Sequence, residues 1–206
     1  MPLTYPYTAN LKHILSQTEM LIKEHGCAHT TLKMIMEKAE VSKGAIYHYV
    51  KSKDELFGLM LQKNIAETND SFWEILNSKC TDLSEPLKAI TEGLTFFLNK
   101  EDVSNPIFIY LLGKNDNPAV EKVLDEFYQF SEKQASSWIQ AGQEGGVIET
   151  SIDPKATASS FLAYSYGLRV TLMLSKERAL NVKEQFYSYM LHVLSPKSSQ
   201  KRTSQY

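Results

Sequence analysis

The chain has 206 residues, 43% of them hydrophobic and 22% charged, which is the composition of a soluble globular protein with room for one large core or two smaller ones. The formal net charge of −2 excludes a uniformly basic surface, and two cysteines are too few for a disulfide framework. The N-terminal residues lack the pattern of a secretion signal, and the longest apolar run, Phe161 to Leu174, is too short for a membrane span and contains Arg169. We therefore expect a cytoplasmic protein.

The first predicted element is a helix that follows an extended, proline-containing arm. Its apolar residues repeat with helical spacing and end before Gly26, a residue typical of helix C-termini. Three potential metal ligands, His25, Cys27 and His29, surround this glycine. Their alternating spacing offers no fourth ligand and matches no structural zinc site, so we expect a tight connection there and no metal.

The next stretch, from Thr30 to Leu56, predicts a helix-turn-helix. Four apolar residues share one face of its first helix: Leu32, Ile35, Met36 and Ala39. Ser42 then predicts the start of a second helix, Lys43 to Tyr49, because its side chain can accept from a backbone amide two or three residues further on. Val41 and Ile46 are spaced for a hydrophobic staple that fixes the entry angle. Two short helices with a tight turn form a helix-turn-helix, whose second helix enters the major groove of DNA.

A long helix is predicted to follow. Ser52 and Glu55 are spaced as a capping box and mark its start, and it continues to about Asn77. Lys53 lies in the first turn, where a cation is unfavourable unless an anion lies opposite it. A DNA phosphate would be such an anion. The segment from Asn10 to Lys63 also carries eight lysines against six acidic residues, a small basic excess in a chain of negative net charge.

Nine residues in and around the helix-turn-helix are the candidates for contact with DNA. Four at the start of the second helix are expected to approach the bases: Ser42, Lys43, Gly44 and Ala45. Five with hydroxyl, imidazole or ammonium groups are expected to hold phosphates: Thr31, Tyr47, His48, Tyr49 and Lys53. The alternative is that the stretch is only a helical hairpin inside an all-α domain.

These residues resemble the tetracycline-repressor (TetR) family of bacterial transcription regulators. The resemblance covers about the first quarter of the chain and is carried by Thr30-Thr31, Ile35, Ala39, Val41-Ser42, Gly44, Ile46-Tyr47, Tyr49 and Lys53-Asp54-Glu55-Leu56. Three residues depart from the family pattern: Met36 stands in place of alanine, Glu40 in place of glycine and Val50 in place of phenylalanine. None of these departures removes a group expected to touch DNA. The resemblance implies a homodimer that presents two heads to a palindromic DNA site, and we expect a repressor that a ligand releases.

Five capping signals mark helix starts in the rest of the chain: Ser84-Glu85-Pro86, Asn105-Pro106, Asn117-Pro118, Asp153-Pro154 and Asn181 with Glu184. An Asn or Asp directly before proline suits the N-cap and the first helical position. The signals predict helices that begin near residues 85, 106, 118, 154 and 182, and Gly145-Gly146 ends the one that begins near 118. With the four helices before them, they predict about nine helices and no strand.

We therefore predict an all-α fold with two domains. An N-terminal three-helix DNA-binding domain that contains the helix-turn-helix spans residues 9–51, and a C-terminal helical ligand-binding and dimerisation domain spans residues 52–195. Residues 196–206 are serine-rich and basic without an apolar repeat, and they are expected to form a disordered tail.

The last two predicted helices carry a candidate dimer interface. Small residues in the helix that begins at Pro154 allow close approach of a second helix, and large apolar residues on it and on the last helix supply burial. The expected interface residues are Phe161, Leu168, Leu172, Phe186, Tyr189, Met190 and Val193. The alternative is that both apolar stripes pack against the core of their own chain.

Aromatic residues on three successive helices suggest a cavity for an apolar or aromatic small molecule, with a few polar groups to orient it. The candidate residues are Phe97, Phe108, Tyr110, Phe127, Gln134, Trp138, Tyr164 and Arg169. Large apolar residues at helical spacing are often plain core, so that interpretation stays open for each aromatic.

Other classes of function find less support in the sequence. There is no glycine-rich phosphate loop, no Gly-x-Ser-x-Gly nucleophile motif and no metal-binding histidine pair, so we expect neither an enzyme nor a cofactor. A helical adaptor or a small-molecule-binding protein without sequence-specific DNA binding is the remaining alternative. Such a protein would have no use for an exposed tyrosine cluster at Tyr47 and Tyr49.

Overall fold

The computed structural model describes residues 7–77, 82–94, 98–99, 101–174 and 181–195. Over these ranges the chain forms nine α-helices and no strand, which confirms the predicted fold class. The helices are α1 Ala9–His29, α2 Leu32–Lys38, α3 Lys43–Tyr47, α4 Lys53–Asn77, α5 Ser84–Leu94, α6 Ser104–Leu112, α7 Pro118–Glu144, α8 Pro154–Leu174 and α9 Val182–Leu194. None of the helices in the described part of the chain is long and apolar enough to cross a membrane.

Two compact units divide the chain at other points than the expected domains. The first unit comprises Met1–Ala66 and Phe97–Phe130, and the second comprises Glu67–Phe96 and Ser131–Tyr206. The three N-terminal helices therefore share their unit with α6 and with the first parts of α4 and α7. The division of function after residue 51 stays a prediction, and the predicted tail, 196–206, lies outside the described residues.

Helix α1 begins where its sequence indicates and is interrupted at the predicted stop. The Thr8 hydroxyl accepts from the Leu11 amide at 3.2 Å and caps the N-terminus. Gly26 has a φ of +74° and interrupts the helical path, as expected of a stop residue, and one further turn continues to His29. The Thr30 amide and hydroxyl both donate to the Gly26 carbonyl, at 3.2 and 2.9 Å.

The first unit has one apolar core around α1, α2, α4 and α6. Its fully buried side chains include Leu11, Ile14, Ile35, Ile46, Leu56, Phe57 and Ile107. Close approach of α4 and α7 depends on Gly58, because a Cβ there would lie 2.5 Å from Cγ1 of Val123. The glycine that weakens α4 in isolation is therefore required for packing.

The second unit packs α9 against α5 and α8, with Phe186 and Met190 of α9 almost fully buried. A polar group lies inside this core. The side-chain oxygen of Asn69 accepts from the indole nitrogens of both Trp73 and Trp138, each at 3.0 Å, and Asn69 is 1% exposed. One amide oxygen thus satisfies both tryptophans of the chain.

The capping residues were right at two later helices, and the start of a third was one residue off. Asn117 accepts from the Ala119 amide, and Asp153 accepts from the Lys155 and Ala156 amides, which confirms both caps. Helix α5 begins at Ser84, one residue before the expected start.

Two other capping residues make no predicted cap, although α9 begins at Val182, as expected from its signal. Helix α6 begins at Ser104, before the expected cap, because the Asp102 carboxylate accepts from both the amide and the hydroxyl of Ser104. Asn105 consequently lies inside the helix and is buried. Asn181 has a φ of +76° and its side chain makes no capping hydrogen bond, since this backbone conformation directs it elsewhere.

Candidate nucleic-acid interface

Helices α2 and α3 form the predicted helix-turn-helix. Ile35 is fully buried and Ala39 nearly so, while Leu32 and Met36 are half-buried, which confirms the buried face of α2. Thr31 caps α2 by accepting from the Met34 amide at 3.2 Å. Because an accepting hydroxyl retains its proton, Thr31 remains able to donate to a phosphate.

The turn between the two helices has a left-handed residue at its centre. Glu40 has a φ of +53°, and the backbone bonds Val41 N–H to Met36 O and Glu40 N–H to Glu37 O close a Schellman motif. Glycine is the favoured residue at this position because it has no Cβ to clash. The departure of Glu40 from the family pattern therefore falls at a strained backbone position.

Helix α3 is short and firmly anchored. The Ala45 amide donates to the Ser42 hydroxyl at 3.2 Å, which confirms the predicted cap, and Ile46 is fully buried. The helix ends at Tyr47, two residues before the predicted end. The amide of Tyr49 bonds to the Ile46 carbonyl, so the chain leaves the helix through a tighter turn.

The residues expected to approach bases lie together on the N-terminal turn of α3. Ser42, Lys43 and Gly44 are exposed, and Ala45 is half-buried. Tyr47 is 45% exposed, and the Lys43 ammonium lies 5.6 Å from its ring centroid. This surface therefore offers the Lys43 ammonium, the hydroxyl groups of Ser42 and Tyr47 and one aromatic ring to a partner. Gly44 between them has no side chain.

The remaining aromatic candidates differ in what holds them. His48 is exposed and its ring packs edge-on against Tyr49, with centroids 5.0 Å apart. Tyr49 is half-buried, and its hydroxyl lies 2.9 Å from that of Thr8 at the start of α1. Tyr49 therefore ties the exit of α3 to α1 while its hydroxyl stays at the surface.

Lys53 does not lie as the sequence suggested. Its ammonium donates to the carbonyl oxygens of Cys27, Ala28 and Thr30, at 2.9, 2.9 and 2.8 Å. An ammonium has three N–H donors, so all of them are occupied within the chain. The negative partner that the sequence argument required is the carbonyl end of α1, and the assignment of Lys53 to a phosphate is corrected accordingly.

One of the two predicted hydrogen bonds of the capping box is present at the start of α4. The Glu55 amide donates to the Ser52 hydroxyl at 3.1 Å, which confirms the forward bond. The Glu55 carboxylate accepts from the Lys51 amide at 2.6 Å instead of the Ser52 amide.

A cluster around Lys53 was missed by the sequence analysis. Tyr110 of α6 lies with its ring centroid 5.2 Å from the Lys53 ammonium and 4.9 Å from that of Lys114. Lys114 donates to the Tyr110 hydroxyl at 3.1 Å and forms an ion pair with Asp54. The spacing of Tyr110 and Lys114, i and i+4, was the available signal, because it places both on one helical face.

The potential metal ligands near Gly26 form no cluster. No three histidine, cysteine or acidic side chains in the described ranges lie close enough together to hold a metal ion. Cys27 is buried, and desolvation raises the pKa of its thiol to about 11, against a smaller lowering by the nearby Lys53 charge. Its reactive thiolate is therefore scarce at neutral pH.

The expected dimer interface is largely interior. Phe161, Leu168, Phe186 and Met190 are buried within the second unit, and Leu172, Tyr189 and Val193 are half-buried. The choice of the first four as interface residues was wrong, because their large side chains fill the core of their own chain. The exposed face of α8 carries instead a run of small and apolar residues: Ser160, Ala163, Gly167, Val170 and Leu174.

The expected ligand residues are divided between the units. Phe97 lies outside the described residues. Phe108, Tyr110 and Phe127 belong to the first unit, where the rings of Phe108 and Phe127 pack edge-on with centroids 6.3 Å apart. Gln134, Trp138, Tyr164 and Arg169 belong to the second.

Among the four residues of the second unit, Trp138 is the one next to the apolar cavity described here. Trp138 lines an apolar cavity of about 30 Å³. Residues from α4, α5, α7, α8 and α9 surround it, among them Phe72, Ile90, Ile139, Phe161 and Met190. Tyr164 stacks on the Tyr189 ring, with centroids 4.5 Å apart, and Gln134 and Arg169 are buried.

The chain is similar in sequence to known bacterial transcription regulators. Residues 14–60 match the family described as "Bacterial regulatory proteins, tetR family". The HTH-type transcriptional regulator YfiR of Bacillus subtilis is 24% identical over 158 residues, which cover 72% of each chain. The HTH-type transcriptional repressor NemR of Escherichia coli is 33% identical over 67 residues, which cover 32% of this chain and 34% of NemR.

Solved structures agree in fold. Reduced E. coli NemR superposes with a TM-score of 0.64 at 20% identity and covers 92% of this chain and 100% of its own. The SmeT–triclosan complex, whose protein is a repressor from Stenotrophomonas maltophilia, gives a TM-score of 0.62 at 18% identity, with 92% and 93% covered. At these identities the likeness concerns the fold alone.

Replacement of Glu40 by glycine is expected to stabilise the protein. It removes the strain of a non-glycine residue at positive φ and should raise the free energy of unfolding by about 1 kcal/mol, measured by urea denaturation at fixed protein concentration. Glu37→Gly is the matched control, because the same change inside α2 should lower stability by about as much. A loss of stability in Glu40→Gly equal to that of the control would contradict the assignment of strain to Glu40.

Proposed function

Since the chain belongs to the tetR family of bacterial regulatory proteins, and is therefore a DNA-binding transcription regulator and not an enzyme, we propose that it is a ligand-released repressor. It binds a palindromic operator as a homodimer, with α3 of each protomer in the major groove. The exposed N-terminal turn of α3, around Lys43 and Gly44, is the observation that carries this proposal. Because its target is bacterial DNA, the protein acts in the cytoplasm.

Base recognition falls to the start of α3 and phosphate binding to the groups around it. Lys43 is the cation best suited to a guanine edge, and Ser42 and the small residues Gly44 and Ala45 let the backbone approach the groove. Thr31, Tyr47, His48 and Tyr49 are surface hydroxyl and imidazole groups that suit phosphate oxygens and would set the register.

The dimer forms through the exposed face of α8. Val170 is 42% exposed and Leu174 80% exposed in the single chain, while Ala163 and Gly167 on the same face allow a second helix to approach closely. Burial of this face against its copy around a two-fold axis would remove apolar surface from water. With α9 beside α8, the two protomers contribute two helices each to a four-helix bundle.

The inducer is an apolar or aromatic small molecule that binds in the second unit beside Trp138. SmeT is a relative in fold that was solved with triclosan. The cavity of about 30 Å³ has the volume of roughly one water molecule, whereas drug-sized ligands occupy roughly 300 Å³ or more. A ligand therefore selects an expanded state. Phe72, which lines the cavity, belongs to α4, so expansion would displace the helix that begins beside the DNA-reading helices.

Selection of bound fragments from the source genome by the purified protein at physiological salt tests the function. We expect one palindromic site within a promoter, and a Lys43→Ala variant should bind it about 10- to 100-fold more weakly, since a lost base contact costs about 1–3 kcal/mol. Lys122→Ala is the matched control, because Lys122 is an exposed lysine on α7. Absence of any enriched site, with or without cell extract as a source of co-ligand, would favour the adaptor alternative.

Val170→Glu should convert the dimer to a monomer. A charge on each copy of a buried apolar face opposes association, and the exposure of Val170 in the single chain lets the variant fold. Light scattering at micromolar concentration should give half the wild-type mass. Met20→Glu, which changes an apolar residue of α1 that is 45% exposed, is the control and should leave the mass unchanged. A dimeric Val170→Glu protein would contradict the assignment of the interface to this face.

Ligand binding should be visible in the fluorescence of Trp138. In a Trp73→Phe background, an apolar aromatic library that includes triclosan should contain compounds that shift Trp138 emission, raise the melting temperature and release the operator. Trp138→Phe serves as the optical control. A library that raises the melting temperature without any change in Trp138 emission would place the ligand elsewhere.

A further inference from the structure

A lysine side chain of α4 bonds to the C-terminal end of α1. The last four carbonyl groups of a helix have no partner within it. Here the Gly26 carbonyl accepts twice from Thr30, and the Cys27 and Ala28 carbonyls accept from the Lys53 ammonium. The third Lys53 bond goes to the Thr30 carbonyl, directly before the Thr31 cap of α2. One side chain from the first turn of α4 is thus bonded to the end of α1 and the entry to α2.

This arrangement defines the orientation of the helix-turn-helix relative to α4. A lysine side chain loses rotamer entropy when it is held in one conformation, so it needs neighbours that restrict it. Phe57 of α4 and Tyr110 of α6 supply them, since their ring centroids lie 5.9 and 5.2 Å from the ammonium. The two rings also pack edge-on against each other, with centroids 5.7 Å apart.

Tyr110 is itself held by Lys114. Lys114 lies 4.9 Å from its ring centroid, donates to its hydroxyl at 3.1 Å and pairs with the Asp54 carboxylate. Asp54 directly follows Lys53 in the first turn of α4. Two ammonium groups therefore lie within 5.2 Å of the Tyr110 ring centroid, and both of them are bonded to other parts of the same unit.

We propose that Lys53 is a positioning residue for DNA binding and not a phosphate contact, and that Tyr110 holds it in place from α6. The inference rests on the proposed function of the chain as a dimeric regulator. Lys53 keeps α2 and α3 at one angle to α4, and a dimer built on this geometry reads half-sites at one fixed separation. Loss of the Lys53 bonds would let α2 and α3 of each protomer rotate relative to α4. The dimer would then bind its best operator more weakly and would tolerate operators with other half-site spacings better.

The salt dependence of operator binding separates a positioning lysine from a phosphate contact. Each lysine that neutralises a phosphate adds about 0.9 to the slope of log K against log salt concentration. We compare Lys53→Met with the wild-type protein between 50 and 200 mM salt. Lys53→Met should bind the operator about tenfold more weakly or worse and keep the wild-type slope, whereas the loss of a phosphate contact would reduce the slope by about one. A reduced slope in Lys53→Met would overturn the proposal.

The spacing of the half-sites separates positioning from a general loss of stability. Wild-type protein should lose about tenfold or more in affinity when one base pair is added to or removed from the centre of the operator. Lys53→Met and Tyr110→Leu should lose clearly less, because their heads are less restricted. A variant that is only less stable would have fewer active dimers and an unchanged spacing preference, and that result would overturn the proposal. Titration of active dimers with operator DNA corrects for the folded fraction.

Conservative replacement of Tyr110 completes the test. Tyr110→Phe keeps the ring beside Lys53 and removes only the hydroxyl that accepts from Lys114, so it should retain the wild-type spacing preference. Equal defects in Tyr110→Phe and Tyr110→Leu would contradict the role of the ring. The wild-type data distinguish failure of this inference from failure of the proposed function. A wild-type protein that selects no operator would refute both. A wild-type protein that prefers one half-site spacing, together with variants that keep the same preference, would refute the inference alone.

Discussion

The DNA-reading part of this protein depends on how the C-terminal end of α1 is satisfied. A helix that stops at a glycine leaves carbonyl groups that need donors, and most proteins supply water or neighbouring backbone. Here the Lys53 ammonium donates to three carbonyl oxygens within 2.9 Å. Because one donor group serves the end of α1 and the entry to α2, the stop at Gly26, the helix-turn-helix and the start of α4 form one connected junction.

Solvent exposure identifies the proposed functional surfaces of this protein better than its overall composition does. The net charge of −2 gives no sign of DNA binding, yet α3 presents a lysine and a tyrosine to solvent on either side of an open glycine. The exposed face of α8 is apolar at Val170 and Leu174, which is costly for a single chain and favourable for a dimer. The proposed ligand site is instead buried. Its apolar side chains leave a cavity of only about 30 Å³, which must expand before a ligand enters.

Features that depend on near neighbours in the sequence could be predicted from it. The caps at Ser42, Asn117 and Asp153 and the stop at Gly26 follow from side-chain and backbone chemistry within a few residues. Lys53 could not be placed in this way, because its acceptors lie 23 to 26 residues earlier in the chain.

The dimer face of α8 shows a second limit. Periodicity identified one apolar stripe but could not tell whether it faces the chain's own core or a second copy. Phe161 and Phe186 belong to the core, and the smaller residues on the exposed face of α8 gave a weaker signal.

The structure of the dimer bound to its selected operator would test the central claim most directly. The account predicts that α3 lies in the major groove while the Lys53 ammonium stays within hydrogen-bond distance of the Cys27, Ala28 and Thr30 carbonyl oxygens, and that no phosphate replaces them. A Lys53 ammonium bound to a phosphate oxygen, with the three carbonyl groups released, would contradict the account.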